Sequence, residues 1–169
     1  MKVQHNLNDL RHEIDKVDTE LLSLLEQRAN LAEQVAECKR ETEANPEYYR
    51  PEREAQLLRE KIASYHGKLN KADVAQIFRS IIAGCRALQK QYSIAFLGPL
   101  GTFSHVAAIQ HFGTSENLLP ENSISAVFEA VETRQANYGL VHIENSTTGI
   151  ISETVDCLVN SSLLISGEV

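Results

Sequence analysis

From Asn8 to about Glu41 the chain holds no Gly or Pro, and Leu10, Ile14, Val17, Leu21, Leu24, Arg28, Leu31, Val35 and Cys38 follow unbroken steps of four and three. A heptad seam of that length predicts one helix of about 50 Å, at ~1.5 Å per residue. The rest of residues 1–91 is too small to cover so long a stripe. A second copy of the chain is therefore expected against it, as a homodimer. Pro46 and Pro51 break the pattern, and Pro51 suits the first turn of a second helix running to about Ser64, with Leu57, Leu58 and Ile62 buried. A third helix, Lys71 to about Gln91, carries Val74, Ile77, Phe78, Ile81, Ile82, Cys85 and Leu88 at helical spacing.

After Ser93 the texture changes. IAFLG reads as a buried strand, GPLGTFS as a glycine loop and Ser104 to His111 as a helix. Leu118 and Leu119 form a weak strand, and Ser123 or Ser125 caps a helix through Thr133 with Ala126, Val127, Ala130 and Val131 inward. Tyr138 to Ile143 reads as a strand, Ser152 to Asn160 as a helix and LLISGEV as a strand. Such alternation argues a parallel α/β sheet. Two pieces are expected: an all-helical three-helix domain over residues 1–91 and a partial parallel α/β lobe over 92–169.

Charge divides the chain at the same place. Residues 1–91 are net neutral, whereas 92–169 hold only Arg134 against eight acids, which accounts for the whole net charge of −7. Neither piece is basic, so nucleic acid is disfavoured as a partner. With 43% hydrophobic and 23% charged residues the chain should fold. No apolar run nears the ~20 residues of a membrane span, and no signal or transit segment is seen, so a soluble cytosolic protein is expected. Cys38, Cys85 and Cys157 are widely spaced and read as reduced thiols.

Arg28 stands where the seam demands an aliphatic side chain. A bare guanidinium there costs several kcal/mol unless an anion meets it. It either pairs with a flanking Glu or snorkels, or it serves a ligand. Lys39, eleven residues on, lies within about 20° of the same face and about 16 Å along the axis, which brings two long cationic side chains within reach of one small anion. Arg11 is about 25 Å from Arg28 and cannot share its ligand within one chain, but in an antiparallel dimer the partner's end can supply it. The second helix adds Arg53 and Glu54, and the third adds Gln89, one turn beyond Cys85. Four cations, a carboxylate and an amide describe a pocket for a small polyanion, with no nucleophile beside a base and no metal cluster.

The strings LRHEIDKVDTELLSLLEQRANLAEQVAECK, YYRPEREAQLLREK and IFRSIIAGCRALQ resemble the all-helical chorismate mutase domain at the N-terminus of bifunctional chorismate mutase-prephenate dehydratases, over residues 7–91. The resemblance implies an intertwined dimer that converts chorismate to prephenate without a cofactor, in phenylalanine biosynthesis. Arg11 of one chain and Arg28 of the other bind the two carboxylates. Lys39 and Gln89 donate to the ether oxygen, Glu54 takes the ring hydroxyl, and Arg53 supports a carboxylate or orders the site. Some relatives carry an acidic residue at the place of Arg50 and a serine at that of the substrate-binding Cys85. Gly84 inside a buried helix reflects either close packing or room beside a ligand.

GPLGTFS could aim backbone N–H groups and the Thr102 and Ser104 hydroxyls at an anion, or be only a tight turn. Glu144-Asn145-Ser146-Thr147 follows a strand, where ligands of α/β sheets bind, or is an ordinary helix cap. Together IAFLGPLGTFSHVAA and YGLVHIENSTTGIISETVDCL resemble the first lobe of prephenate dehydratase, with His142 where proline is usual. The resemblance implies that Thr102, Ser104, Asn145, Ser146 and Thr147 are half of a second site. The family's Thr-Arg-Phe segment and regulatory domain are not in the sequence, so the chain is expected to be an N-terminal part, with its half-site inert alone. His5, His12, His66, His105, His111 and His142 show no ligand spacing, and only His105 adjoins a candidate loop. The competing reading is a non-enzymatic dimerisation helix fused to a small-molecule sensor.

Overall fold

The computed structural model describes residues 6–44, 46–146 and 149–168. Its elements run α1 (Leu7–Thr42), α2 (Pro51–Ser64), α3 (Lys71–Gln89), β1 (Ser93–Leu97), α4 (Phe103–Phe112), β2 (Asn117–Glu121), α5 (Ile124–Glu132), β3 (Tyr138–Leu140), β4 (Glu144–Asn145), β5 (Gly149–Ile150) and α6 (Ser152–Asn160). The chain divides into two compact units, Met1–Pro46 and Glu47–Val169.

The first unit is α1, a single helix of 36 residues. The Asn6 side chain accepts from the Asn8 N–H at 3.2 Å and caps it. Asp9 lies in the first turn and Lys39 and Arg40 in the last, each charge opposing the dipole end it faces. The heptad stripe is bare: Leu10, Ile14, Val17, Leu21, Leu24, Leu31 and Val35 are all exposed, Leu31 at 61%.

In the second unit Pro51 opens α2, and Asn70 caps α3 by accepting from the Ala72 N–H at 3.0 Å. Leu57, Leu58 and Ile62, expected to be buried, are only half-buried, and no α2 residue is fully enclosed. The reason is that α2 packs on α3 along one side and the remainder faces water. Gly84 is exposed, with nothing within 4 Å of where a Cβ would stand, so no packing within the chain calls for glycine there.

The strands β2-β1-β3 form one parallel sheet, with Ser93–Leu97 paired to Asn117–Glu121 on one side and Ile94–Phe96 to Tyr138–Leu140 on the other. Ile94, Ala95 and Phe96 are wholly buried, as befits a central strand covered on both faces. Alternation sends Ile94 into a cluster with Tyr49, Tyr92 and Phe112, and Ala95 into one with Val127, Ala130 and Ala136. Gly139 lies beside Ala95 in the ladder, and a Cβ on it would come within 2.9 Å of Val127 Cγ1. Two small residues side by side thus let α5 settle on the sheet.

At the far end of α4, Gly113 has φ +93°, and a Cβ there would meet Ala83 Cβ at 2.8 Å. α3 therefore lies directly against the close of α4.

Three readings of the strands need correction. Of LLISGEV, the described residues 163–168 form no strand: they join no ladder and Leu164 is 93% exposed, because among the described residues β3 pairs only with β1. β3 stops at Leu140 rather than Ile143, since its register with β1 ends there. Glu144–Asn145, read as a ligand-binding segment or an ordinary helix cap, is no helix cap but pairs antiparallel with Gly149–Ile150.

Candidate functional site

Arg11, Arg28 and Lys39 ride on α1 in the first unit. Arg11 is exposed, while Arg28 and Lys39 are half-buried. Their spacing sets Arg28 and Lys39 about 16 Å apart along one face of the helix.

Arg53, Glu54, Cys85 and Gln89 belong to the second unit. Arg53 is exposed in the first turn of α2, Cys85 is a buried thiol on α3, and Gln89 is the half-buried last residue of α3. Glu54 is held: Nη1 of Arg86 donates to its two carboxylate oxygens at 3.0 and 2.9 Å. The same guanidinium donates from Nη2 to the Phe112 carbonyl at 2.7 Å and from Nε to Glu116 Oε1 at 3.4 Å. Glu116 Oε2 in turn accepts the Tyr92 N–H at 2.6 Å. The side chains of Arg86 and Glu116 are 3% and 0% exposed, against 26% for Glu54.

Arg86 was not singled out from the sequence. Yet Phe78, Ile82 and Arg86 stand at i, i+4 and i+8 of the α3 stripe, the same sign of a cation among apolar residues that drew attention to Arg28.

An aromatic floor keeps this cation dry. The Tyr49 ring lies 4.7 Å from the guanidinium carbon of Arg86, and the Phe112 ring 5.9 Å. The Tyr49 hydroxyl bonds His111 Nε2. Burial, with Glu54 nearby, pushes the Tyr49 phenol up to about 12, while burial and the cations Arg86 and Arg79 pull His111 below its ordinary value. Both groups are thereby kept neutral, and one hydrogen bond joins the phenol oxygen to Nε2 of the imidazole. Burial likewise raises Tyr92 and Tyr138.

The second candidate site lies at the carboxyl end of the sheet. α4 carries the chain from β1 to β2 on one side, and α5 then carries it across to β3 on the other. β1 and β3 are thus neighbours whose connections diverge, the place where open α/β sheets bind ligands. Residues 98–102 leave β1 there, and residues 141–146 leave β3.

Thr102 caps α4: its hydroxyl donates toward the Leu97 and Pro99 carbonyls at 3.3 and 3.0 Å and accepts from the His105 N–H at 3.3 Å. His105, stacked on Phe96, accepts the Gly101 N–H at its Nδ1 at 3.0 Å. Thr102 and His105 therefore hold the loop in shape, and two of its N–H groups already have acceptors. Ser104 is half-buried in the first turn of α4, and Asn145 and Ser146 are exposed. Thr147 lies outside the described residues.

Residues 10–90 match the family described as Chorismate mutase type II, and residues 94–169 the family described as Prephenate dehydratase. The Bifunctional chorismate mutase/prephenate dehydratase of Pseudomonas aeruginosa is 40% identical over 172 residues, spanning 100% of this chain and 47% of that protein. Its counterpart from Aquifex aeolicus is 40% identical over 168 residues, spanning 96% and 46%. The chain thus spans about half the length of the curated relatives it matches. Among solved structures, a prephenate dehydratase from Streptococcus mutans aligns with 43% of this chain and 37% of its own, at 38% identity and a TM-score of 0.40.

Proposed function

We propose, for a chain whose residues 10–90 belong to the type II chorismate mutase family and whose residues 94–169 belong to the prephenate dehydratase family, that residues 1–91 rearrange chorismate to prephenate and that residues 92–169 are the first lobe of a dehydratase domain. The rearrangement breaks the ether C–O bond and forms a C–C bond within one molecule, so no proton is transferred and no covalent intermediate arises. Such a site has to hold a reactive conformer and stabilise the negative charge growing on the ether oxygen.

The proposed division of labour gives the substrate carboxylates to Arg28 and to Arg11 of a second copy, with Arg53 in support. Lys39 and Gln89 donate to the ether oxygen, Glu54 accepts from the ring hydroxyl, and Cys85 lines the pocket. Lys39 is the cation that favours the transition state over the ground state.

The observation that carries the reading is the seam of α1, apolar and exposed from Leu10 to Val35 yet interrupted by Arg28. A helix serving dimerisation alone has no reason to place a guanidinium there, since Asn sets register at lower cost. An antiparallel homodimer would bury that stripe and bring Arg11 of each copy toward Arg28 of the other.

The dehydratase lobe has Arg134 as its one cation, so its loops after β1 and β3 are proposed to act on prephenate, a dianion, only within a longer protein. No helix of the described residues is long and apolar enough to cross a membrane, and a cytoplasmic location is proposed with the activity. The test is to incubate the purified chain with chorismate, follow its loss by absorbance and assay phenylpyruvate. Chorismate is expected to disappear without phenylpyruvate. Persistence of chorismate would sink the mutase reading, and phenylpyruvate would sink that of an inert half-site.

A further inference from the structure

We propose that Arg86 is a positioning residue for the rearrangement, clamping the Glu54 carboxylate to the α/β lobe so that the lobe fixes one wall of the mutase site. This rests on the chorismate mutase reading above. The three acceptors of Arg86 come from three elements: Glu54 from α2, the Phe112 carbonyl from the last residue of α4, and Glu116 from the turn before β2. A planar guanidinium serves all three at once, whereas an ammonium on a flexible stem is a single point of charge.

The two carboxylates share one cation unequally. Glu116 is enclosed, and its oxygens are taken up by Arg86 and by the Tyr92 N–H. Glu54 is the partly open one, and Nη1 reaches both of its oxygens. The paired bonds from Nη1 stop the Glu54 side chain from swinging into water and fix the direction in which its carboxylate is offered.

Positioning of this kind matters because a functional group has to be held within roughly 0.5 Å of its productive place. The clamp is itself rigid. Tyr49 and Phe112 lie against the guanidinium, and the close approach of Gly113 to Ala83 keeps α3 on the end of α4.

The experiment measures kcat and KM of the full chain for wild type, Arg86→Met, Arg86→Lys, Glu54→Gln and the Glu54→Gln/Arg86→Met double variant, with helicity checked by circular dichroism. Arg86→Met is expected to lower kcat by about 10- to 100-fold, and Arg86→Lys to restore little of it. In the Glu54→Gln background the same change should cost less than about 2-fold, because the carboxylate it positions is gone. A merely structural role would give losses that multiply.

If Arg86→Met unfolds, Glu116→Gln, which keeps the guanidinium but weakens its anchor on the lobe, should lower kcat several-fold with KM little changed. Full activity in a folded Arg86→Met or Glu116→Gln chain, or multiplying losses, overturns the inference while the mutase reading stands. A wild-type chain that leaves chorismate intact overturns both.

Discussion

Replacing Gly113 by Ala tests the join between α3 and α4. Two penalties add at this position. The backbone has φ 93° and ψ 173°, a region that L side chains avoid at about 1–3 kcal/mol. The new methyl would also stand 2.8 Å from Ala83 Cβ, where overpacking costs roughly 1–3 kcal/mol. A small shift of α3 relieves part of both, so the expected loss is about 2–4 kcal/mol, read as a lower urea midpoint with an unchanged slope. Ala83→Gly alone should cost about 1 kcal/mol, as a glycine inside a helix. Combined with Gly113→Ala it removes the colliding methyl, so the double variant should be more stable than the two losses summed, retaining the backbone penalty at residue 113 and the cost of a glycine in α3 but not the collision. A Gly113→Ala protein within about 0.5 kcal/mol of wild type, below the ordinary range of a strained site, would refute the reasoning.

Arg28→Ala and Lys39→Ala should each lower chorismate turnover by orders of magnitude with the helical circular dichroism intact, and unfolding instead would make these cations structural. Mixing Arg11→Ala with Lys39→Ala protomers should return activity through heterodimers carrying up to one intact site, whereas an inactive mixture would argue against sites shared between copies. Tyr49 gives an alkaline limb to stability. Its folded pKa of about 12 exceeds the ordinary 10.0, so its contribution is whole below pH 10.0 and is lost as pH climbs through about 12. Urea midpoints across that range should fall for wild type and fall less for Tyr49→Phe, with Tyr92 and Tyr138 supplying the remaining slope; equal slopes would show that Tyr49 is not held neutral.

Local pattern carried the helices and failed where a distant neighbour decides. α2 begins at Pro51 and α6 spans Ser152–Asn160, as proline placement and periodicity anticipate, and α1 exceeds its expected ends by one residue at each. Leu118 and Leu119 read weakly because their ladder partners Ile94 and Ala95 lie more than twenty residues earlier. LLISGEV has a strand-like composition, but no strand stands beside it in the sheet.

The sites divide in the same way. The cation in the α1 seam was legible because a heptad makes the exception visible. Arg86 went unread because its partners Glu54 and Glu116 lie 32 and 30 residues away and only the fold brings them to one guanidinium. Thr102 shows the converse: its place in a glycine loop suggested a ligand, whereas its hydroxyl faces the Leu97 and Pro99 carbonyls.

The uncovered stripe on α1 also makes concentration a variable of this protein's behaviour. Ile14, Leu24 and Leu31 each expose more than half their area, and under the proposed pairing of two copies mass action sets how much of that surface is covered. Specific activity per chain should then decline on dilution and recover on concentrating, so abundance in the cell sets output more steeply than in simple proportion.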